Sequence, residues 1–306
     1  MKKIITIICF IFWIQNSFAQ EFCTHWVSYP LPNDSSEVLF RKTFTTQHRP
    51  TQALITFASC GKLKVFVNER NITKDFLFEN PNNAYIVART IDISRFLNAE
   101  QNTIAVWYAP VSGMPISKQL SLEYYGKDIK GKNFYYKADK SWWCKTLRGS
   151  FNSSTMEQYD SRFYHFDWMS PEYKSEHWTH PTGSFATEKS YPIISNPLPT
   201  SSYQLTHIIF PVNHYEDSLG IHYDFGRPFY GSIRLTLREA SKGETIKIDN
   251  YLYICNGEMD EQAFRRFTSE QKRIITINGG KNFNIKQINN IEGLEYQHNI
   301  KDSFSY

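Results

Sequence analysis

The chain has 306 residues, with 34 basic and 30 acidic side chains, and its net charge of +4 is spread along the sequence. Such scattered charge forms no basic stripe of the kind that binds nucleic acids, so a nucleic-acid partner is not expected. Aromatic residues make up 16% of the chain and charged residues only 21%. Few long helical patterns occur, and this combination favours β-rich structure with aromatic cores.

The N-terminus has the pattern of a secretory signal peptide. Lys2 and Lys3 precede the apolar run Ile4–Ile14, and Ser17-Phe18-Ala19 offers the small residues that signal peptidase requires. We therefore predict a leader over residues 1–19 and a mature protein that begins at Gln20. The run is shorter than the roughly 20 residues of a membrane-spanning helix. The mature protein is expected to be exported, to the periplasm or the cell surface, without stable membrane insertion; a membrane anchor is the alternative.

Four cysteines would survive cleavage: Cys23, Cys60, Cys144 and Cys255. They allow three disulfide pairings, and their wide spacing is not that of a small disulfide scaffold. Cys60 and Cys255 lie in or beside apolar runs, which favours buried free thiols. No Cys-x-x-Cys motif occurs, and the sequence predicts neither a cofactor nor a metal site.

Two histidines three residues apart, His177 and His180, could hold a metal if they lay on a helix. Pro171 and Pro181 flank this pair, however, and no third ligand is evident. A surface loop is the preferred interpretation.

Alternation of apolar and polar residues with a period of two dominates the chain, which is typical of strands buried on one face. Turns rich in Gly, Asn and Pro separate these segments, as in antiparallel sandwiches. We predict an all-β fold of two antiparallel β-sandwich domains with little helix, each strand having one wet face. The alternating apolar residues are Leu63, Val65 and Val67; Leu120, Leu122 and Tyr124; Ile233, Leu235 and Leu237; and Ile246 and Ile248.

The alternation fails between about Trp142 and Tyr203, where several prolines interrupt any ladder. The predicted organisation is a signal peptide (1–19), a first sandwich (20–165), an irregular linker that wraps the domains (166–202), a second sandwich (203–295) and a polar tail (296–306). Only Glu258–Lys272 has near-helical spacing, and Gly257 before it is equally consistent with a loop. No closing strand is expected after Asn289.

Several local patterns occur in an order that resembles the N-terminal region of bacterial α-L-rhamnosidases. The Asp139-Lys-Ser-Trp142 segment is similar to that family's Asp-x-Ser-Trp, and Tyr159-Asp-Ser-Arg162 to its Tyr-Asp-Ala-Arg. The resemblance covers most of residues 25–290. Its other segments are Leu39–Phe44, Gly61–Asn68, Ile91–Val106, Tyr223–Gly226, Gly231–Leu237, Gly243–Ile248 and Gly257–Met259.

The resemblance implies jelly-roll-like, galactose-binding-like sandwiches that serve a catalytic domain. In the family, the catalytic carboxylates lie on an (α/α)-barrel that follows the sandwiches, and this chain stops at Tyr306, where the barrel would still lie ahead. No catalytic residue is therefore predicted. The carboxylates that could be considered are expected to bond to backbone groups and to hold turns: Asp139, Asp160, Asp167, Glu172, Asp224 and Glu258.

The tryptophans of the irregular stretch are the candidate carbohydrate-binding residues. A sugar ring stacks its C–H face on an aromatic plane while nearby polar groups take the hydroxyls. The candidates are Trp142, Trp143, Trp168 and Trp178, with Asp139 and Asp167 beside them. The alternative is that these rings fasten the long loop onto the sandwich.

The leading functional hypothesis is an exported, non-catalytic accessory module that binds carbohydrate, with a rhamnose-containing plant polysaccharide as the suspected partner. It could also be a truncated relic of an α-L-rhamnosidase. The alternatives are a glycoside hydrolase component whose barrel is encoded elsewhere and a structural subunit of a glycan-uptake system.

Overall fold

The computed structural model describes residues 25–31, 36–73, 77–78, 86–111, 118–152, 156–184, 193–195 and 202–299. The predicted signal peptide and Cys23 lie outside these residues. Within them, no helix has both the length and the apolar character needed to cross a membrane.

The described residues of the first half of the chain form a series of strands with one turn of 3-10 helix. The strands are β1 (Trp26–Ser28), β2 (Ser36–Thr45), β3 (Gln52–Ser59), β4 (Lys62–Val67), β5 (Arg70–Asn71), β6 (Leu77–Phe78), β7 (Ile86–Asp92), β8 (Gln101–Ala109), β9 (Gln119–Lys127), β10 (Asn133–Lys137) and β11 (Trp143–Asn152). The helical turn is η1 (Ser94–Phe96).

The second half continues the pattern, with three further 3-10 turns: η2 (Ser161–Phe163), η3 (Phe166–Met169) and η4 (Ile285–Gln287). Its strands are β12 (Glu157–Asp160), β13 (Thr182–Ser184), β14 (Ile193–Ser195), β15 (Ser202–Ile209), β16 (Asn213–Asp217), β17 (Gly220–Arg238), β18 (Thr245–Ile248), β19 (Tyr251–Ile254), β20 (Asp260–Phe264), β21 (Glu270–Gly279) and β22 (Ile288–Asn299). The prediction of an all-β fold with little helix is confirmed.

The described strands form two sheets. The smaller has the order β13-β1-β9-β3-β7-β14, with β10 paired to β9. The larger runs β5-β4-β8-β2-β11-β12-β19-β18-β21-β17-β22-β15-β6, with β16 and β20 paired to β17. Most pairs are antiparallel, but β12 runs parallel to β19, and β14 runs parallel to β7. Because β12 also pairs with β11, the larger sheet passes without a break from one half of the chain into the other.

The first core lies between the smaller sheet and the β4-β8-β2 part of the larger one. Phe40 and Val106 point into it from the larger sheet, and Ile55 and Leu122 from the smaller sheet, all at most 1% exposed. The neighbouring residues Leu39 and Trp107 point the other way, into the second core. Strands β2 and β8 are therefore buried on both faces, which explains the almost continuous apolar run of β8.

The second core lies under β17, β21 and β18. Ile233, Leu235 and Leu237 enter it from β17, and Ile246 and Ile248 from β18, all of them buried. The alternation seen in the sequence is thus confirmed on the apolar side of these strands.

The polar side of the alternating strands is less exposed to solvent than predicted. Ser121 and Glu123 of β9 are both fully buried. They lie on the outer face of the smaller sheet, where a small third cluster that includes Trp26 and Ala58 gathers. The expectation of one wet face per strand was therefore wrong for β9.

Two local predictions were also wrong. Residues of the Glu258–Lys272 segment form β20 and the start of β21 rather than a helix or a loop, because β20 pairs along β17 and buries Ala263 in the second core. The tail after Asn289 was expected to lack a strand, but β22 extends to Asn299 and pairs with both β15 and β17. Tertiary pairing overrides local propensity in both places.

The described part of the predicted linker contacts both halves of the fold. Trp168, Met169 and Trp178 are buried in the second core. β13 and β14 instead extend the two edges of the smaller sheet. The domain limits given above stay predictions.

Cys60, Cys144 and Cys255 are buried and form no disulfide with one another. Burial raises the pKa of the Cys144 thiol to about 12, so it is not a reactive thiolate. The prediction of buried thiols at Cys60 and Cys255 is confirmed.

Trp168 provides a test of the packing. Its ring packs on Phe66 and Trp178, with centroid distances of 5.8 Å and 6.2 Å, and is 1% exposed. We expect Trp168→Ala to lower the free energy of unfolding by about 3–5 kcal/mol. Phe166 lies in the same helical turn but is 74% exposed, so Phe166→Ala should change it by less than about 0.5 kcal/mol. Denaturant unfolding measures both, and equal losses would contradict the assignment.

Candidate functional site: a cleft between the sandwiches

A cleft of about 650 Å³ lies where the two sandwiches meet, within the range of roughly 300–1,000 Å³ usual for ligand sites. Its walls come from the β4 edge of the first sandwich, the segment that follows β12, and the outer faces of β20 and β22. The residues that line it include Lys64, Trp107, Tyr164, Phe166, Glu258, Gln262 and Arg266.

One wall is fixed by the Tyr159-Asp-Ser-Arg162 segment. The Asp160 carboxylate accepts the backbone N–H of Arg162 at 3.2 Å and pairs with its guanidinium at 2.7 Å. The Ser161 hydroxyl donates to the carbonyl of Ile254 at 2.7 Å. These bonds join the turn after β12 to β19 and position the chain that leads to Phe166. The expectation that Asp160 holds a turn is confirmed.

The adjoining part of the lining is organised by Glu261, a buried carboxylate that lies 3.3 Å from the Ser161 hydroxyl. It accepts hydrogen bonds from the Tyr253 hydroxyl at 2.9 Å and from the backbone N–H groups of Asn256 and Gly257 at 2.9 Å and 2.7 Å. Gly257 adopts a φ of +88°, which glycine tolerates without strain. The loop is therefore held in place, and Glu258 and Gln262 remain exposed at the cleft.

The floor is built around Glu157 and Arg266. Glu157, at 1% exposure, accepts the backbone N–H groups of Arg266, Phe267 and Thr268 at 2.5, 3.3 and 3.1 Å. The Arg266 guanidinium lies 3.9 Å from the centroid of the Tyr159 ring, within cation–π range. The strand that joins the two halves thus also holds the loop between β20 and β21.

Two ionisable groups near Arg266 have strongly shifted pKa values: Lys64, which lines the cleft, and Glu37, which is buried behind Trp107. Burial, followed by the nearby charge of Glu157, raises the pKa of Glu37 to about 8. Its carboxyl accepts the indole N–H of Trp107 at 2.8 Å. Burial, followed by repulsion from Arg266, lowers the pKa of the Lys64 ammonium to about 8. Shifted groups in a cleft are typical of functional sites.

Aromatic rings lead from this floor to the mouth of the cleft. Tyr164 stacks on Trp107 with a centroid distance of 5.1 Å and an interplanar angle of 25°. Phe166 meets Tyr164 edge-on at 5.1 Å and is 74% exposed. An exposed ring beside exposed amide and carboxylate groups can stack on an apolar face of a ligand while the polar groups bind its hydroxyls.

The structure does not bring the six predicted carbohydrate-binding residues together. Trp142 is buried in the first core, and Trp168 and Trp178 in the second. Closed off from solvent, these three rings are not available for stacking on a sugar, and the alternative role as packing anchors describes them. Trp143 is half-buried and stacks on His180 with a centroid distance of 4.0 Å.

The two predicted aspartates are exposed. Asp139 accepts the backbone N–H of Ser141 at 2.8 Å, an Asx turn that directs Trp142 into the core. Asp167 lies in η3, between the exposed Phe166 and the buried Trp168. The turn-holding role expected of Asp139 is confirmed, and a contact of either aspartate with a glycan stays a prediction.

Other candidates from the sequence have structural roles. Asp224 accepts the Gly226 N–H at 2.8 Å and pairs with Arg273 at 2.9 Å, while Glu172 bonds to a neighbouring serine hydroxyl. His180 makes a 2.8 Å hydrogen bond with the Trp142 carbonyl. Among the described residues, no cluster of metal-binding side chains occurs.

Sequence reasoning missed the residues that line the cleft. Phe166 and Tyr164 precede Trp168 in the same segment, but nothing local shows which aromatic ring is buried. Lys64 and Gln262 are polar residues on alternating strands, and nothing in that pattern distinguishes them from other polar positions. Only the pairing of β12 with β19 brings these positions to one place.

Comparison with known proteins identifies the fold. No family model matches the chain, and no curated protein is similar to it in sequence. The solved α-L-rhamnosidase of Dictyoglomus thermophilum is similar with a TM-score of 0.77 at 19% identity, over 90% of this chain and 35% of that one. The resemblance seen in the sequence is confirmed at the level of fold.

Two further α-L-rhamnosidase structures share it. The Aspergillus terreus enzyme gives a TM-score of 0.76 at 15% identity, over 90% of this chain and 36% of that one. The Streptomyces avermitilis enzyme, solved with L-rhamnose, gives 0.72 at 16% identity, over 86% and 29%. The chain therefore spans about a third of the length of the rhamnosidases that it matches.

The buried Glu37 carboxyl predicts a dependence of stability on pH. In the unfolded chain it ionises near 4.5, whereas in the folded chain its pKa is about 8. Between these values the folded state holds a proton that the unfolded state has lost, so the free energy of unfolding falls as the pH rises. Glu37→Gln can still accept the Trp107 N–H and should remove about 3–5 kcal/mol of this fall.

The measurement is urea unfolding from pH 4.5 to 8.5 for the wild type, Glu37→Gln and the exposed control Glu258→Gln. The control should follow the wild type. A Glu37→Gln profile parallel to the wild-type profile would show that Glu37 titrates normally.

Proposed function

We propose that the cleft binds a carbohydrate chain and that the protein acts as a non-catalytic accessory module. The observation that carries this proposal is the exposed Phe166 ring in the same cleft as the exposed polar side chains of Glu258 and Gln262. Stacking on one apolar sugar face, with hydrogen bonds to the hydroxyls around it, is the mode such a surface permits. The fold, shared with part of three α-L-rhamnosidases, supports the same class of ligand.

The platform is rigid enough to act without large rearrangement. Phe166 packs edge-on against Tyr164, which stacks on the buried Trp107. The loop that contains Asn256 and Gly257 is held by Glu261 through two backbone N–H groups. A preformed surface loses little conformational entropy on binding, so a modest number of contacts suffices for measurable affinity.

The suspected ligand is a rhamnose-containing plant polysaccharide. One of the matched enzymes was solved with L-rhamnose, and we extend this sugar to the present chain as part of the proposal. Export to the periplasm or cell surface, inferred from the leader sequence, would place the protein where such polysaccharides occur.

A second candidate is a component of a glycoside hydrolase whose catalytic domain is a separate chain or segment. The observation that favours it is the partial coverage, since this chain matches about a third of each enzyme. Both candidates predict that the chain by itself does not hydrolyse aryl rhamnosides, so this assay tests them together against an enzyme. Turnover above the rate without protein, lost in Glu258→Ala, would make the chain an enzyme.

Carbohydrate binding is tested by calorimetric titration with rhamnose-containing oligosaccharides. A site built on one stacking ring should bind near the millimolar range, about −4 kcal/mol. Phe166→Ala should then abolish detectable binding and leave the melting temperature unchanged, and Gln262→Ala should weaken it.

The matched control is Phe210→Ala, because Phe210 is 57% exposed but does not line the cleft. It should bind as the wild type does. Trp143→Ala should also bind normally, and loss of binding there with retention in Phe166→Ala would move the site to the Trp143–His180 surface.

A further inference from the structure

We infer that the Lys64 ammonium is an anchor for the carboxylate of an acidic sugar, so that the cleft prefers glycans in which a uronic acid is flanked by neutral residues. This inference rests on the proposed function and deepens it.

Lys64 lies on the β4 edge of the cleft and has no polar partner there. Its neighbour on the same face of the strand, Lys62, donates to the Phe267 carbonyl at 2.7 Å. Lys64 instead places its Nζ 5.3 Å from the centroid of the Phe267 ring. Among the described residues, its ammonium forms no hydrogen bond and no ion pair within 4 Å, although the side chain is only partly exposed.

The charges around Lys64 leave this ammonium uncompensated. Arg266 is positive and repels it, and Glu157 and Glu37 are the acidic groups that act on it. The Glu157 carboxylate already accepts three backbone N–H groups and the Thr268 hydroxyl. Glu37 is protonated at neutral pH because its pKa is about 8. Lys64 and Arg266 are therefore two positive charges. Of the two acidic groups near them, Glu157 is already hydrogen-bonded and Glu37 is neutral.

A partly buried charge without a hydrogen-bonding partner is unfavourable, and a ligand that supplies the partner relieves this cost. Ammonium and carboxylate form a charge-assisted hydrogen bond, which is stronger than one between neutral groups. Lysine binds as a point charge with three donors, so it suits a single carboxylate without requiring a fixed fork geometry. An acidic sugar placed at Lys64 would meet this need.

The acidic groups at the mouth restrict how many carboxylates the glycan can carry. Glu69 and Glu258 are exposed there, and they would repel further negative charges. Asp260 is paired with Arg238 at 3.1 Å, so it offers less repulsion. The arrangement favours one acidic residue inside the cleft with neutral sugars at the mouth, near Phe166.

The test compares three oligosaccharides of equal length by calorimetry: one that alternates uronic acid with a neutral sugar, its carboxyl-reduced form, and a polyuronate. We expect the alternating acid to bind about tenfold more tightly than the reduced form, and the polyuronate to bind more weakly than the alternating acid. Lys64→Gln should abolish the difference between the alternating acid and its reduced form and retain binding of the reduced form. Lys247→Gln, an exposed lysine on β18 outside the cleft, should behave as the wild type.

Two results separate this inference from the proposed function. Equal binding of the acidic and reduced forms by the wild type overturns the Lys64 anchor and leaves carbohydrate binding intact. No binding of any of the three overturns both. Equal affinity for the polyuronate and the alternating acid would refute the preference for flanked uronic acids.

The pH profile of the wild type provides evidence that does not depend on a variant. From pH 7 to 9, Lys64 loses its proton and Glu37 gains a charge, since both pKa values are about 8. Both changes weaken the binding of an anion. Affinity for the alternating acid should therefore fall by about tenfold over this range, and affinity for the reduced form should stay constant. A flat profile for the acidic form would contradict the inference.

Discussion

The fold depends on one short strand, β12. Two of its residues, Glu157 and Gln158, pair with β11 on one side, and all four, Glu157–Asp160, pair in parallel with β19 on the other. Through this strand the ladder of the larger sheet continues from the first sandwich into the second. Its side chains contact both halves of the fold. The Glu157 carboxylate accepts hydrogen bonds from the chain after β20, and the Tyr159 ring packs on Trp107 of the first half and Tyr253 of the second.

The cleft is a consequence of this junction. Beneath it, Glu157 holds the chain after β20 through hydrogen bonds that also join the two halves of the fold. The same position explains the perturbed acid–base properties of Glu37 and Lys64, since burial at the junction disfavours the charged form of each. A substitution beneath the cleft would therefore affect the stability of the fold, whereas Phe166, which is 74% exposed, can be changed without loss of packing.

The sequence was sufficient for the fold class, for most apolar faces and for the resemblance to rhamnosidases. These properties are local or periodic: Val65 and Leu235 follow a period of two, and Asp139 and Asp160 hold turns with residues next to them. The errors were non-local. β20 and β22 have weak strand patterns of their own and exist because β17 supplies a long partner on each side.

The candidate site could not be predicted from the sequence for the same reason. The tryptophans drew attention because they are large and clustered, yet Trp142 and Trp168 are each 1% exposed. Large aromatic rings bury more apolar area than any other side chain, so a cluster of them in a loop is first of all a packing device. The exposed ring is Phe166, and its exposure is set by the bonds that Asp160 and Ser161 make before it.

Hydrogen–deuterium exchange with and without a rhamnose-containing oligosaccharide tests most directly whether the glycan lies between the sandwiches. If it does, added protection should be confined to the lining of the cleft, residues 161–169, residues 256–266 and the β4 edge around Lys64, with little change elsewhere. Protection concentrated instead around Asp139–Trp143 and His180, with the lining of the cleft unchanged, would show that the glycan binds on the first sandwich and that the cleft is only a structural junction.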